Sequence, residues 1–436
     1  MNEVIVGIIG LGVVLLLFLT GIELAFAMIL IGFLGFGYLI SWQASFNLLA
    51  KDFFDVLNSY GFTVIPLFIF MGQLAFNSGV AKRLFDAAYK FIGHVPGGLA
   101  MATVAGATAF KSICGSSPAT AATFASVAVP EMDRYGYDKR LSTGIVASVG
   151  TLGVLLPPSV TLIVYGIITD QSIGRLFLAG IFPGLLVAFF FICIIYAWCK
   201  INPTLGPKGP RSTWGERMKA IPEVAWVILI FILVIAGILQ GFFTPTEAGS
   251  VGTFLVLVLT VAKRDLNFKG FIKSIAESVR TACMVLLLIA GSTTLGHFIA
   301  VTRIPMIAAD WLVSLPLPAW TIMIFIGIVY LVGGSFIDDL AFMILATPIF
   351  YPAMIKLGYN PLWFGIMIGI TVMVGVVIPP VAINVFVVKQ ITKTPFGVIY
   401  SGVYPFLLSL VFAAVLLFLF PALATWLPGK LMGGIL

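Results

Sequence analysis

Charged side chains are scarce in this chain. Asp, Glu, Lys and Arg together make up 9% of its 436 residues, whereas soluble domains carry about 25%. So few charges cannot cover a surface with groups that water solvates, which excludes a soluble globular domain. Hydrophobic residues make up 61% of the chain and its mean hydropathy is +1.15. This composition predicts an all-α, polytopic membrane protein.

Metal-ligating side chains are equally few. The four cysteines lie in or beside apolar runs, without the spacing of a metal site, and are expected to pack as small polarizable side chains: Cys114, Cys193, Cys199 and Cys283. Neither His94 nor His297 has neighbours that suggest a metal site. We therefore expect no transition metal, organic cofactor or nucleic-acid partner.

Glycines and prolines, by contrast, recur in a fixed order. A Gly-Ser-Ser-Pro turn at residues 115–118 leads to GVLLPP at 153–158, and GSFIDD at 334–339 leads to GVVIPP at 375–380. Matching residues of the two copies are 222 positions apart, at Pro130/Pro352, Gly136/Gly358, Gly153/Gly375, Pro157/Pro379, Gly180/Gly402 and Pro183/Pro405. The Gly115/Gly334 pair is 219 apart. The chain is therefore interpreted as an internal duplication whose copies each interrupt their helices twice.

The apolar runs divide the chain into regions, because about 20 apolar residues are needed to cross a bilayer. We predict N-terminal scaffold helices in 1–60, a first repeat in 61–200, a cytoplasmic linker with a scaffold helix pair in 201–270, a second repeat in 271–425 and a tail in 426–436. The first repeat contains an amphipathic interfacial helix at 79–93, a re-entrant hairpin at 97–132 and a broken helix at 137–170. The second contains a hairpin at 319–355 and a broken helix at 361–392.

Basic residues flanking the spans predict the orientation. If the 201–222 linker is cytoplasmic, seventeen Lys and Arg residues fall inside and five outside. Both termini are then external, and the two hairpins enter from opposite sides. The copies are therefore expected to be inverted repeats related by an axis in the membrane plane.

Broken helices in a membrane predict binding sites, because free helix ends and unwound carbonyls attract ions near the bilayer midplane. Proline frees the carbonyl one turn earlier, and oxygen clusters suit the hard cation Na⁺. The expected Na⁺ ligands, for two or more ions, are Ser116, Ser117, Gly150, Gly153, Val154, Pro157, Gly334, Asp338, Thr371, Gly375 and Pro379. The expected substrate contacts are Ser117, Thr151, Ser159, Asp339 and Asn384.

Each of these features also has a structural explanation. A Gly-Pro-Pro segment can be a kink, Ser116 and Ser117 can be turn residues, and Asp338 and Asp339 can cap a helix. Lys111, just before the first turn, could attract an anion or extend to the interface. Repetition of the breaks at equal spacing, and the cost of carboxylates inside a membrane, favour binding sites.

The two copies resemble a known family. The runs CGSSPATAATFASVAVPEM, GTLGVLLPP and SIGRLFLAGIFPGLL, with GGSFIDDLAFMILATPIFYP and GVVIPPVAINVFV in the second copy, are similar to the large (M, DctM-like) membrane subunit of tripartite ATP-independent periplasmic (TRAP) transporters. The resemblance covers nearly the whole chain. It implies an elevator-type fold in the bacterial inner membrane and Na⁺-driven uptake of a small organic acid, such as a C4-dicarboxylate or a sugar acid.

The resemblance also implies partners and specific residues. A periplasmic binding protein (P type) would deliver the substrate, and a separate four-helix membrane subunit (Q type) would accompany the chain. The family's hairpin turn falls on residues 115–117, its second-hairpin acid on Asp338, and its cation-binding breaks on 150–157 and 371–379. Thr120 stands where many members have an acid, and Ala382-Ile383 where Gly-Leu is common before Asn384.

Other function classes remain as alternatives. A standalone divalent-anion/Na⁺ symporter shares the inverted hairpin plan, but its Ser-Asn-Thr motifs are absent from both turns. An intramembrane aspartyl protease needs two aspartates from different helices that share a proton, and the first copy offers no partner for Asp338. A passive channel would not need a broken helix beside each hairpin. Transport, rather than catalysis, is the predicted function.

Overall fold

The structure is a computed structural model that describes residues 2–433. Within these residues the regular structure is helical, with twenty α-helices and two short 3-10 turns at Tyr60–Thr63 and Thr151–Val154. Eight helical segments of this part of the chain are long and apolar enough to cross a bilayer. The predicted all-α, polytopic fold is confirmed.

Five helices precede the first hairpin: α1 (Glu3–Leu19), α2 (Leu24–Leu39), α3 (Trp42–Asn58), α4 (Val64–Asn77) and α5 (Val80–Ile92). Helix α3 begins at Ser41, the N-cap residue, whose hydroxyl accepts a hydrogen bond from the amide of Ala44 at 3.2 Å. The apolar runs did not single out α3, because Lys51, Asp52 and Asp55 interrupt its hydrophobic face. Helix α5 occupies the stretch predicted to lie in the interface.

The first copy contains α6 (Gly98–Lys111), α7 (Ser117–Arg134), α8 (Lys139–Gly150), α9 (Val160–Ile168) and α10 (Ile173–Ile201). Helices α6 and α7 occupy the stretch of the first predicted hairpin. Helices α8 and α9 occupy the first predicted broken helix, and the residues between them form a 3-10 turn followed by the Pro157-Pro158 pair.

Four helices lie between α10 and the second hairpin: α11 (Trp214–Leu239), α12 (Pro245–Ala262), α13 (Phe268–Val301) and α14 (Ile304–Ser314). Helices α11 and α12 each begin with a capping box, formed by Thr213 with Glu216 and by Thr244 with Glu247. In this motif the two residues satisfy each other's free backbone amides. Helix α13 packs along α2 and α4, so it joins the N-terminal helices to the middle of the chain.

The second copy contains α15 (Ala319–Phe336), α16 (Asp339–Lys356), α17 (Pro361–Gly375), α18 (Ile383–Thr392) and α19 (Phe396–Leu419), followed by α20 (Ala422–Met432). Helix α20 includes residues 426–432, for which the sequence predicted only a tail, and it packs against α10. Pro421 ends the preceding apolar run, and the chain resumes as a helix after it. The end of the predicted tail, residues 434–436, lies outside the described residues.

The first halves of the two broken helices, α8 and α17, are buried in the molecule. All residues from 141 to 150 in α8 are buried, as are those from 362 to 375 in α17 except Met367. Helix α8 crosses α19 closely, since a Cβ atom on Gly144 would lie 2.3 Å from the carbonyl carbon of Gly402. Half-helices that are covered on all sides keep their free ends inside the protein, where lipid cannot reach them.

Several pairs of charged side chains lie near the surface, and two of these groups bear on the orientation. Glu223 on α11 binds Arg83 on α5 at 3.0 Å and Lys263 after α12 at 2.6 Å, and Arg83 also contacts Asp265. All four residues belong to segments that the distribution of basic residues assigns to the cytoplasmic side. In a segment assigned to the other side, Lys356 binds Asp310 at 2.5 Å.

Candidate functional site

The first hairpin turn rests on the break of the first broken helix. Helix α7 is capped by Ser116, whose hydroxyl accepts a hydrogen bond from the amide of Ala119 at 3.3 Å. A Cβ atom on Gly115 would lie 2.4 Å from the carbonyl oxygen of Pro158. A glycine is therefore needed here to let the turn touch the break.

The second turn repeats this arrangement. Gly334 lies against Gly375. A Cβ atom added to Gly375 would be 2.6 Å from the carbonyl carbon of Gly334. The amide of Val381, just after the second proline pair, donates to the carbonyl of Ser335 at 3.1 Å. Asp338 occupies the N-cap position of α16, and Asp339 is its first helical residue. In each copy the turn thus contacts the break of its own broken helix.

A cavity of about 270 Å³ lies between the two turns, and we call it the hairpin cavity. Its walls come from both turns, from the start of α9 and from helices α4 and α13, and its polar lining residues are Gln73, Ser116, Ser117, Thr161, Thr281, Asp338 and Asp339. Helices α7 and α16 both begin at the cavity, so two helix N-termini with their partial positive charge face it.

In the first copy, two carbonyl oxygens that were expected to bind Na⁺ accept hydrogen bonds from side chains of the protein. The carbonyl of Val154 accepts a hydrogen bond from the Ser159 hydroxyl at 2.7 Å, and this hydroxyl also caps α9. The ammonium of Lys111 donates to the carbonyl of Ser116 at 2.7 Å. A Cβ atom on Gly153 would lie 2.1 Å from the same Lys111 nitrogen. The lysine does not extend to the interface, because its side chain is completely buried.

Asn384 lies where the two copies meet, away from the hairpin cavity. Its Nδ2 atom donates to the carbonyl of Ala147 at 3.2 Å, and a Cβ atom on Gly150 would be 2.9 Å from that nitrogen. The Oδ1 atom of Asn384 is buried and has no hydrogen-bond partner within residues 2–433. This side chain therefore holds the start of α18 against the end of α8.

Two further hydroxyls bond within their own helical segments. Thr151 donates to the carbonyl of Ser148 at 2.7 Å, and Thr371 donates to that of Met367 at 2.6 Å. The two proline pairs differ in exposure, since Pro157 is buried whereas Pro379 is exposed. Both pairs contain a cis peptide bond.

The structure thus brings together part of the predicted site. Ser116, Ser117, Asp338 and Asp339 line the hairpin cavity, whereas Thr151, Ser159, Thr371 and Asn384 do not. Asp338 and Asp339 are adjacent at one helix start, and among the described residues no other acid lines this cavity. The arrangement therefore lacks the pair of aspartates from two helices that an aspartyl protease uses.

Sequence reasoning missed several residues of the cavity wall. Gln73, Thr161 and Thr281 come from three different helices, and the buried Oε1 atom of Gln73 has no hydrogen-bond partner in the described part of the chain. Gln73 carried a detectable signal, since it is an amide between apolar residues of α4. Thr161 and Thr281 carried none, because isolated threonines are common in membrane helices.

The geometry has counterparts among solved structures. The YdaH transporter of Alcanivorax borkumensis is 14% identical to this chain, with a TM-score of 0.58 over 88% of this chain and 90% of that one. At this level of identity the likeness concerns the fold alone. It shows that the helical architecture described above is one that a solved transporter also adopts.

Sequence comparisons identify the family. The chain is 34% identical to the C4-dicarboxylate TRAP transporter large permease protein DctM of Pseudomonas aeruginosa, over 88% of this chain and 90% of that protein. It is 30% identical to the sialic acid TRAP transporter large permease protein SiaM of Vibrio cholerae, over 96% of this chain and 97% of that protein. It is 33% identical to the ectoine TRAP transporter large permease protein TeaC of Halomonas elongata, over 96% of each chain. These relatives are named as transporter permeases, not as enzymes. A model of the DctM component of tripartite ATP-independent periplasmic transporters matches residues 11–423, and the chain belongs to this family.

Proposed function

We propose that this chain is the permease of a secondary transporter that moves a small carboxylate inward together with Na⁺. The observation that carries the proposal is the hairpin cavity, in which two helix N-termini meet the carboxylates of Asp338 and Asp339. Such a site offers positive partial charge to an anion and oxygen ligands to a cation. It can therefore couple the binding of the two.

The carboxylate is proposed from the chemistry of the cavity and from the relatives. C4-dicarboxylates and sialic acid are the substrates in the printed names of two large permeases that match this chain. The start of α7 offers the Ser116 and Ser117 hydroxyls and the free amides of a helix N-terminus to an acid group. A cavity of about 270 Å³ suits a small-molecule substrate better than a peptide or another polymer.

Sodium is proposed as a co-substrate held by the second copy. Asp338 stands at the turn, and the backbones of Gly334 and Gly375 are in contact there. Carboxylate, hydroxyl and carbonyl oxygens are the ligands that hard cations prefer. The break beside them is accessible, since Pro379 is exposed. Asp338 is therefore the residue on which the proposed Na⁺ coupling most depends.

The finer architecture is likewise proposed. The hairpins and broken helices would move together as an elevator against α2, α4, α12 and α13, in the inner membrane and with both termini periplasmic. The charged group around Glu223 supports this orientation, because segments assigned to the cytoplasm meet there. A periplasmic binding protein and a small four-helix subunit would complete the tripartite assembly that the family's name describes.

Uptake into proteoliposomes tests this function. The chain is reconstituted with its small subunit and binding protein, and labelled succinate and labelled sialic acid serve as probes. We expect uptake of at least one probe that requires an inward Na⁺ gradient and the binding protein. Undiminished uptake with K⁺ on both sides would contradict Na⁺ coupling, and uptake by the isolated chain would favour a standalone symporter.

A further inference from the structure

Lys111 is a cation buried inside the first hairpin. Its side chain has no exposed area, although an ammonium is among the most costly groups to remove from water. Such a group is retained where it is paired or has a function. The ammonium lies against Gly153 and donates to the carbonyl of Ser116. Both residues belong to the set that the sequence predicted as Na⁺ ligands.

Backbone oxygens near Lys111 offset part of the cost of burying its charge. The residue lies in the last turn of α6, where free carbonyls bring partial negative charge. Another carbonyl expected to bind a cation, that of Val154, is already bonded to the Ser159 hydroxyl. Lys111 does not line the hairpin cavity, so its ammonium does not face a substrate there.

The second copy has the opposite charges. At the offset of 219 that relates Gly115 to Gly334, Lys111 corresponds to Tyr330. At the offset of 222 that relates the helices after the turns, Ser116 and Ser117 correspond to Asp338 and Asp339. Tyr330 is a buried phenol, and its hydroxyl lies 3.2 Å from that of Thr347 on the other helix of the second hairpin. The first copy thus has a fixed cation and no acid at these positions, whereas the second has an acid and no fixed cation.

We propose that the Lys111 ammonium is a built-in cation that takes the place of Na⁺ in the first copy. This inference rests on the proposed Na⁺ coupling and specifies which copy provides it. An ammonium has the same charge as Na⁺ and bonds the same carbonyl oxygens, but it cannot leave during transport. The first turn therefore stays bound to its broken helix at any Na⁺ concentration, and the second copy alone binds Na⁺.

Counting bound Na⁺ tests this assignment. Purified full-length chain is titrated with ²²Na⁺, and thermal unfolding is followed in NaCl against KCl at constant ionic strength. We expect Asp338→Asn to abolish the Na⁺ response of the wild type. Lys111→Ala leaves room and carbonyl oxygens for an ion, so it should bind about one additional Na⁺ per chain and gain a Na⁺-dependent rise in Tm.

The double variant Lys111→Ala/Asp338→Asn isolates the new site. We expect it to retain a Na⁺ response that the Asp338→Asn single variant lacks. Lys111→Met, which fills the space without charge, should gain no response, and the exposed Lys269→Ala is the matched control. Absence of a response in the folded double variant would overturn the proposal.

A residual Na⁺ response in the Asp338→Asn single variant would also overturn it, because Na⁺ would then bind a copy that still contains Lys111. This measurement remains decisive if the Lys111 variants do not fold. Failure of the proposed function looks different. Suppose that wild-type uptake does not depend on Na⁺ but that Lys111→Ala still gains Na⁺ binding. This result would refute Na⁺ coupling and would still support the role of Lys111 as a cation that occupies the first copy.

Discussion

Asp338 stands at the point where the second hairpin turn, the N-terminus of α16 and the hairpin cavity meet. We expect Asp338→Asn to lower Na⁺-driven uptake by about tenfold or more, because an interaction with a charged group is worth about 1.5–3 kcal/mol. The measurement is initial uptake rate as a function of Na⁺ concentration. Glu247→Gln is the control, since this residue belongs to an exposed capping box on α12. Equal losses in both variants would remove the reason to single out Asp338.

Gln73 contributes a buried amide oxygen, unpaired within the described residues, to the wall of the same cavity. Gln73→Leu removes this oxygen, so stability should be maintained or rise slightly. A substrate that bonds this amide would lose the contact, and KM for uptake should rise several-fold at similar Tm. A falling Tm with unchanged KM would instead show that the amide serves the fold.

At the scale of elements, the close crossing of α8 and α19 decides where the first broken helix lies. A Cβ atom on Gly402 would be 1.8 Å from the carbonyl oxygen of Arg140. Gly402→Ala should therefore separate the helices and destabilise the protein by about 1–3 kcal/mol, as overpacking does. The measurement is thermal unfolding in detergent.

Gly397 provides a matched control on the same helix, because no atom of the described residues lies within 4 Å of a Cβ atom added there. Gly397→Ala should leave stability unchanged or raise it by up to about 1 kcal/mol through helix propensity. If the two alanine variants unfold at the same temperature, the crossing is not as close as described.

The Gly and Pro pattern predicted the interrupted helices because these residues act through their own backbone. The helices of both hairpins and of both broken helices occupy the predicted stretches. Helix α3 was not singled out, and residues 426–432 were expected in a tail. Both segments lack a continuous apolar run, because polar residues interrupt α3 and prolines lie before and within α20. Contacts with neighbouring helices stabilise these two helices instead.

At the scale of the whole molecule, the distribution of basic residues predicts which ends face the cytoplasm. In a cysteine-free background, a cysteine at Lys208 should react with a membrane-impermeant maleimide only after cells are opened. A cysteine at Lys430 should react in intact cells. The reason is that positively charged loops are retained on the cytoplasmic side. The reverse pattern would invert the proposed direction of transport.

The membrane environment, the helical class and the positions of the four interruptions could be predicted from the amino-acid sequence, because each depends on local composition or on backbone chemistry. The sequence also indicated Asp338 and Asp339, since carboxylates stand out in apolar segments. The tertiary structure alone decided what these groups face. Hydrophobic periodicity shows that a segment is buried, but it does not show which segment packs against it. The position of Gln73 in the cavity wall and the contacts of Asn384 with Ala147 and of Lys111 with Gly153 could therefore be seen only in the folded chain.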